Sequence, residues 1–262
     1  WSAVKVTIYR QSDVPEVLEL YLYLNMNAYL GELERTTSFK DKARQQPNNV
    51  NAGLLTYPSL MAADILIHKA VKVPVGKDQE QNMEMARRFA RRFNTIYQTE
   101  YFTEPASWHF GDKAIKIPGL DGSGKMGKSE GNAIYLIDDE KTLTKKVKRA
   151  VTDGGPTEPN STMPEPIANL FTLLKIASSP ETYQHYLAAY NDCSIRYGDL
   201  KAQLAADLVA LTAPIRERIV ELSSDQEHLN RVAREGAERA RESARKTLEE
   251  VRHIIGFMPT IH

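Results

Sequence analysis

The sequence predicts an α/β domain built on a parallel sheet, followed by an all-α helical bundle. Three observations carry that prediction. Short β-branched runs alternate with helical periodicity through the first half of the chain, strand signals fade after Asp138, and apolar residues then recur at helical spacing to the end. The boundaries fall at residues 1–140 for the α/β part and 141–262 for the helical part.

Taken in order, Val4 to Tyr9 reads as a strand, and "QSDVPEVLELYLYL" offers Ser12 or Asp13 as the cap of a helix that follows Pro15. "TYPSLMAADILIHKA" predicts a helix with Pro58 in its first turn, where the missing N–H costs nothing. "VKVPV" is a short buried-strand candidate, and "EQNMEMARRFARRFN" is helical, with Met85, Phe89 and Phe93 on one stripe. "EGNAIYLI" is strand-like. Leu143, Val147 and Val151 then repeat at four-residue spacing, and "TDGGPTEPNSTMPEP" is a loop. Four further helices follow. Ser179-Pro180 is a cap and first-turn pair, Leu200, Leu204, Leu208 and Leu211 form a stripe, Ser224 to Glu227 is a capping box, and one seam runs from Leu229 through Gly236 to Ile255.

Composition narrows the function classes. Thirty-four basic residues balance thirty-four acidic ones, so no global field draws this 262-residue chain to a polyanion or a membrane, and local patches must do so. The single cysteine, Cys193, excludes an internal disulfide framework, and cytoplasm is the expected compartment. No apolar run approaches about 18 residues, and Trp1, set directly before a strand-like run, reads as the start of an excised fragment.

Chemistry concentrates in a few stretches. "GSGKMGKSEGN" and the Gly119 just before it combine Gly119, Gly122, Gly124, Gly127 and Gly131 with Lys125, Lys128 and Ser129, which can place two ammoniums and a hydroxyl on one anion; read alone it is equally a solvated connection. It satisfies the bare P-loop spacing, yet a strand-like stretch follows where that mechanism requires a helix. Asp64 sits in an apolar helix, where a carboxylate needs a specific donor: a ligand, or a structural partner. In "VPVGKDQ" a strand ends at glycine, the place where open α/β sheets bind ligands, although Asp78 there is equally an ordinary cap. Arg35, Lys40 and Lys42 form a basic cluster, and "KTLTKKVKR" a cationic helix face suited to a nucleic-acid backbone or to water. His68 and His109 show no metal-ligand spacing, and no protein-held metal is expected.

In this order the pieces resemble the class I aminoacyl-tRNA synthetases, in particular their tryptophan-specific branch. "KMGKS" is similar to that family's K-M-S-K-S loop, and "QSDVPE", "GELERTTSFKDK", "GLLTYPSLMAADIL" and "VPVGKDQEQNMEMARRFARRFN" to its successive blocks, over essentially the whole chain. The resemblance implies a partial Rossmann-like nucleotide-binding domain with a helical tRNA anticodon-binding region, and an enzyme that activates L-tryptophan with ATP and Mg²⁺ and transfers it to tRNA(Trp). It implies that Asp64, Met61 and Gln79 bind tryptophan, and that Gly76, Lys77, Asp78 and Ile117 bind ATP together with the loop Lys125, Met126, Gly127, Lys128 and Ser129. Lys125, Lys128 and Ser129 become the catalytic group, assisted at the pyrophosphate by Lys40 and Lys42, and the loop is expected to be mobile. A homodimer is implied through the region of Leu18, Leu22, Met26 and Tyr29. Gly127 stands where the family has serine, which is expected to loosen the loop, and no H-I-G-H-type signature occurs, so a truncated chain that activates tryptophan inefficiently is expected. The alternatives are a tyrosine-specific synthetase, which shares the fold and the loop, and a non-catalytic synthetase-like fragment with an RNA-binding or signalling role.

Overall fold

The computed structural model describes residues 6–109, 116–128 and 130–258. By contacts the chain parts into two compact units, one from Trp1–Lys113 with Glu227–His262 and the other Ala114–Gln226, so the division falls elsewhere than the expected 140/141. The last long helix packs with the first unit because its apolar seam finds partners there.

In the first unit, helices α1 (Glu16–Met26), α2 (Leu30–Glu34), α3 (Thr37–Gln45) and α4 (Ala52–Leu66) precede strand β1 (Lys72–Pro74). Helix α5 (Glu80–Ile96) then crosses to strand β2 (Ala106–Trp108). The strands pair in parallel, Val73 opposite Ser107, and a parallel pair requires such a crossover. Val6–Tyr9 carries no strand, and residues 4 and 5 lie outside the described residues, so the expected first strand is not present over its described part. β2 escaped the sequence reading because Ala-Ser-Trp has no periodicity to detect.

Helix α1 does follow Pro15, but neither Ser12 nor Asp13 caps it; the Asp13 carboxylate instead accepts from the Arg10 guanidinium at 2.8 Å. Helix α4 starts a turn and a half before Pro58, capped by the Asn51 side chain accepting from the Leu54 N–H at 3.0 Å, so Pro58 lies inside the helix rather than in its first turn. The core joins Leu20 and Leu24 of α1, Ala62, Ala63 and Leu66 of α4, and Met83, Phe89 and Phe93 of α5. It also takes Ala240, Ala244, Leu248 and Val251 from the last helix, α10 (Gln226–Ile254). Each fully buried leucine here contributes about 2 kcal/mol of transfer free energy. The small seam residues let α10 approach closely: a Cβ on Gly236 would overlap the carbonyl of Ile8. Arg252 clamps Glu19 through two hydrogen bonds of 2.7 and 2.5 Å, fixing α10 against α1.

In the second unit, helices α6 (Glu140–Lys148), α7 (Glu165–Ala177), α8 (Pro180–Asn191) and α9 (Tyr197–Ser224) form a helical core. It contains Leu143, Val147, Leu200, Leu204 and Leu208, as the spacing predicts, together with Ile167, Leu170 and Leu174 of α7, whereas Val151 and Leu211 remain exposed. Ser179 caps α8 as expected, accepting from the Thr182 N–H. Ser224 opens no capping box: it is the last residue of α9, and its hydroxyl donates to the Glu221 carbonyl at 2.6 Å. Residues 132–137 form no strand, and Tyr135, Leu136 and Ile137 are exposed. The P-loop mechanism is still unsupported, for a different reason: the next helix starts only at Glu140, with its own cap from Asp139 to the Thr142 N–H. Among the described residues no helix is long and apolar enough to cross a membrane.

Candidate functional site

The expected site residues fall in both units, and each group has its own local logic. Asp64 lies on α4, half-buried between the buried Ala63 and Ile65. The donor that its burial demands is Gln11, whose amide nitrogen donates to both carboxylate oxygens at 2.8 and 2.7 Å. Burial raises the pKa of Asp64 above the ordinary carboxylate value, opposed by Gln11 and by the nearby His68. Burial lowers that of His68, with Asp64 opposing. His68 is therefore a structural residue of this cluster, hydrogen-bonded through Nε2 to the Tyr9 hydroxyl at 2.8 Å and through Nδ1 to Ser243 at 3.2 Å. Sequence reasoning missed Gln11 and Tyr9; the signal available was only that a buried carboxylate must be answered by something. Met61, one turn before Asp64, is partly buried against the same core.

After β1 the chain turns directly into α5. Lys77, Asp78 and Gln79 form one 3₁₀ turn after Gly76, and α5 begins at the next residue. Asp78 caps no helix; its carboxylate accepts from the Gln79 amide at 3.1 Å. A Cβ on Gly76 would come within 2.6 Å of an Asp78 carboxylate oxygen, an exposed side-chain end that can move aside, and its φ of −75° is open to any residue. Gln79 is held from behind, accepting from the buried Asn82 at 2.9 Å, and Asn82 in turn meets the Tyr57 hydroxyl. Helix α3 joins the same network: Ser38 is hydrogen-bonded to Tyr57, the Thr37 N–H donates to Gln81, and the Lys42 ammonium lies over the Tyr57 ring at 5.1 Å. Lys40 and Lys42 are thereby carried on a helix anchored near Gln79, both exposed.

The lysine loop is the most heavily braced surface segment. Its centre is Asn132, 5% exposed, which accepts from the Gly127 N–H at 2.9 Å. The same side chain donates toward Asp121, Ser123 and the Lys125 carbonyl at 3.0, 3.0 and 3.1 Å. Asn169 of α7 donates to the carbonyls of Gly122 and Ser123, and the Met126 N–H donates to the carbonyl of Ile117, which ties that residue to the loop. The Gly127 N–H makes one of the bonds that define this arrangement, a bond that any residue but proline could make at that position. Of the glycines, Gly122 and Gly131 take positive φ (88° and 68°), whereas Gly119 is there for space: a Cβ would collide with the Asn132 amide. Lys125 and Lys128 stand exposed on the braced backbone, and among the described residues neither has a carboxylate partner. Two unpaired ammoniums held by a stiff loop are suited to neutralising charge on a phosphate. Ser129 lies outside the described residues. Among the described residues no cluster of three His, Cys, Asp or Glu is placed to hold a metal ion.

The family model described as "tRNA synthetases class I (W and Y)" matches residues 1–213. A tryptophan–tRNA ligase of Porphyromonas gingivalis is 76% identical over 253 residues, spanning 97% of this chain and 77% of that protein. The chain belongs to the class I tryptophanyl-tRNA synthetases. The crystal structure of the tryptophanyl-tRNA synthetase of Campylobacter jejuni, complexed with ADP and tryptophan, superposes with a TM-score of 0.84 at 34% identity, covering 98% of this chain and 79% of that one. A Deinococcus radiodurans tryptophan–tRNA ligase is 39% identical over 97% of this chain and 76% of its own. The tryptophanyl-tRNA synthetases thus match 97–98% of this chain in sequence and fold, which shows the class I Rossmann-like architecture, represented among the described residues by a short parallel pair of strands among helices. A tyrosyl-tRNA synthetase from Aeropyrum pernix, 19% identical with a TM-score of 0.51, shares the fold alone.

Proposed function

We propose that this aminoacyl-tRNA synthetase binds tryptophan and ATP, forms tryptophanyl-adenylate and pyrophosphate, and transfers the tryptophanyl group to tRNA(Trp). The observation that carries the assignment of substrate is Asp64. A half-buried carboxylate whose donor is a single movable amide can exchange that partner for the indole N–H, and a site built around a buried acceptor rejects analogues that lack the donor. Met61 lines the indole pocket, and Gln79 takes the polar end of the amino acid. Gly76, Lys77, Asp78 and Ile117 hold the nucleoside of ATP.

In activation, a tryptophan carboxylate oxygen attacks the α-phosphorus and the bond to the bridging oxygen of pyrophosphate breaks. Negative charge grows on that leaving group. Lys125 and Lys128, with Ser129 and the Met126–Gly127 backbone, meet it at the loop, and Lys40 and Lys42 assist. Mg²⁺ enters with ATP as part of the substrate. The helical region 141–262 takes the anticodon end of tRNA, and the exposed α1 row pairs two copies of the chain.

The test is exchange of labelled pyrophosphate into ATP. Tryptophan supports it and tyrosine does not, Lys128→Ala lowers its rate about 10²- to 10³-fold, and Asp64→Ala loses tryptophan binding. Exchange driven by tyrosine, or unchanged tryptophan binding in Asp64→Ala, sinks the assignment.

A further inference from the structure

We propose that the open groove between α6 and α9 docks the phosphate backbone of the tRNA substrate. This rests on the reading of tRNA as substrate and adds a surface to it. Lys141, Lys145, Lys148 and Arg149 line the groove from α6 and Arg216 from α9, against only Asp139 and Glu140 at the start of α6. In a chain of zero net charge, five cations facing two carboxylates is a local segregation of sign.

The helix sets this pattern. Leu143 and Val147 are buried in the core of the unit, so the face opposite must carry Lys141, Lys145 and Lys148 outward. Lys146, which points elsewhere, is already committed, 2.6 Å from Asp138 and over the Tyr135 ring. Among the described residues the groove lysines and Arg149 make no ion pair with a carboxylate, and the charge of Asp139 acts on Lys141 and Arg216 without a close contact, so the cations outweigh the two carboxylates beside them. Arg216 adds an independent sign of an absent acceptor: its Nε is buried and unpartnered in the groove wall.

The form of the groove favours a backbone over a small anion. The cations are spread along a helix, at about 6 and 4.5 Å of axial rise between successive lysines, instead of converging on one point. Long lysines on an open surface supply point charges that position a nucleic acid without reading its bases.

The experiment compares the 262-residue chain with the Lys141→Ala/Lys145→Ala/Lys148→Ala variant, and with the Gln counterpart that keeps side-chain length. Binding of a tRNA(Trp) transcript is followed by fluorescence anisotropy between about 50 and 200 mM salt, and pyrophosphate exchange is measured on the same preparations. Three lost phosphate contacts reduce the slope of log K against log salt by about 2 to 3. Over that salt range the wild type therefore loses roughly 16- to 64-fold more affinity than either variant, while exchange is unchanged. Wild-type affinity and slope in both variants overturn the groove, as does a wild type that does not bind the transcript; retention only of an acidic protein overturns the choice of RNA. Failure of the ligase reading is distinguishable, since it appears as absent tryptophan-dependent exchange in the wild type itself.

Discussion

Replacing Asn132 by alanine removes the brace of the lysine loop without touching a lysine. The lost side chain accepts one hydrogen bond and offers two N–H groups to three acceptors at 3.0 to 3.1 Å, so about three effective bonds disappear. Each is worth about 0.5–1.5 kcal/mol net. Asp121, Ser123 and Lys125 are exposed and regain water, whereas the part-buried Gly127 N–H loses its acceptor. The expected cost is about 2–4 kcal/mol, a factor of roughly 30 to 900 in the equilibrium between ordered and open loop. Urea denaturation, amide hydrogen exchange at Gly127, and pyrophosphate exchange measure it. Gly127 exchanges far faster and the activation rate falls, while tryptophan affinity stays, because Asp64 belongs to the other unit. Asn132→Asp is the sharper companion: it keeps the acceptor but sets a second carboxylate against Asp121, whose pKa is already lowered by bonds from Ser123 and Asn132. That variant is weaker than the alanine at pH 7 and recovers on acidification toward about pH 4, as the carboxylates take up protons. Stability within about 0.5 kcal/mol of wild type, with unchanged Gly127 exchange, would refute the view that Asn132 organises the loop.

Three further outcomes follow from other parts of the molecule. Asp64 has a folded pKa raised by burial, so its ionisation costs stability as pH rises from the unfolded value through the folded one; Asp64→Asn leaves stability at pH 7 unchanged or higher while weakening tryptophan binding, and lower stability together with intact binding contradicts this. Gly236→Ala gains about 1 kcal/mol of helix propensity, yet the new Cβ meets the Ile8 backbone, which cannot rotate away as a side chain can; a net loss of about 1–3 kcal/mol is expected, seen as a Tm several degrees lower, and a raised Tm negates it. Leu22 is 51% exposed in a row with Leu18, Met26 and Tyr29; Leu22→Glu yields a monomer by light scattering with unaltered Tm, whereas a dimer of full strength removes α1 from the interface.

Legibility from the sequence followed the range of the interactions involved. Helices α5, α6, α9 and α10 declare themselves because a buried stripe at a period of 3.6 residues is written locally, and α8 through its Ser179 cap. The lysines and glycines of the loop and the carboxylate in an apolar helix were equally plain, since composition alone makes them unusual. Strand β2 was not legible, being three residues recruited by pairing with β1, and the strand expected at 132–137 failed because apolar residues without a partner strand gain nothing by extending. Ser12, Asp13 and Ser224 look like caps but are engaged or placed otherwise.

What the sequence by itself determined is the family, the order of its blocks and which charged groups are candidates for its chemistry, because these depend on residue type and spacing. Only the tertiary structure decided that α10 returns to the first unit, that Gln11 answers Asp64 across 53 residues, and that Asn132 bonds to backbone and side chains on both sides of the lysine loop. These are matters of which polar group reaches which. A buried donor or acceptor must be satisfied, but nothing in local sequence names the distant residue that satisfies it.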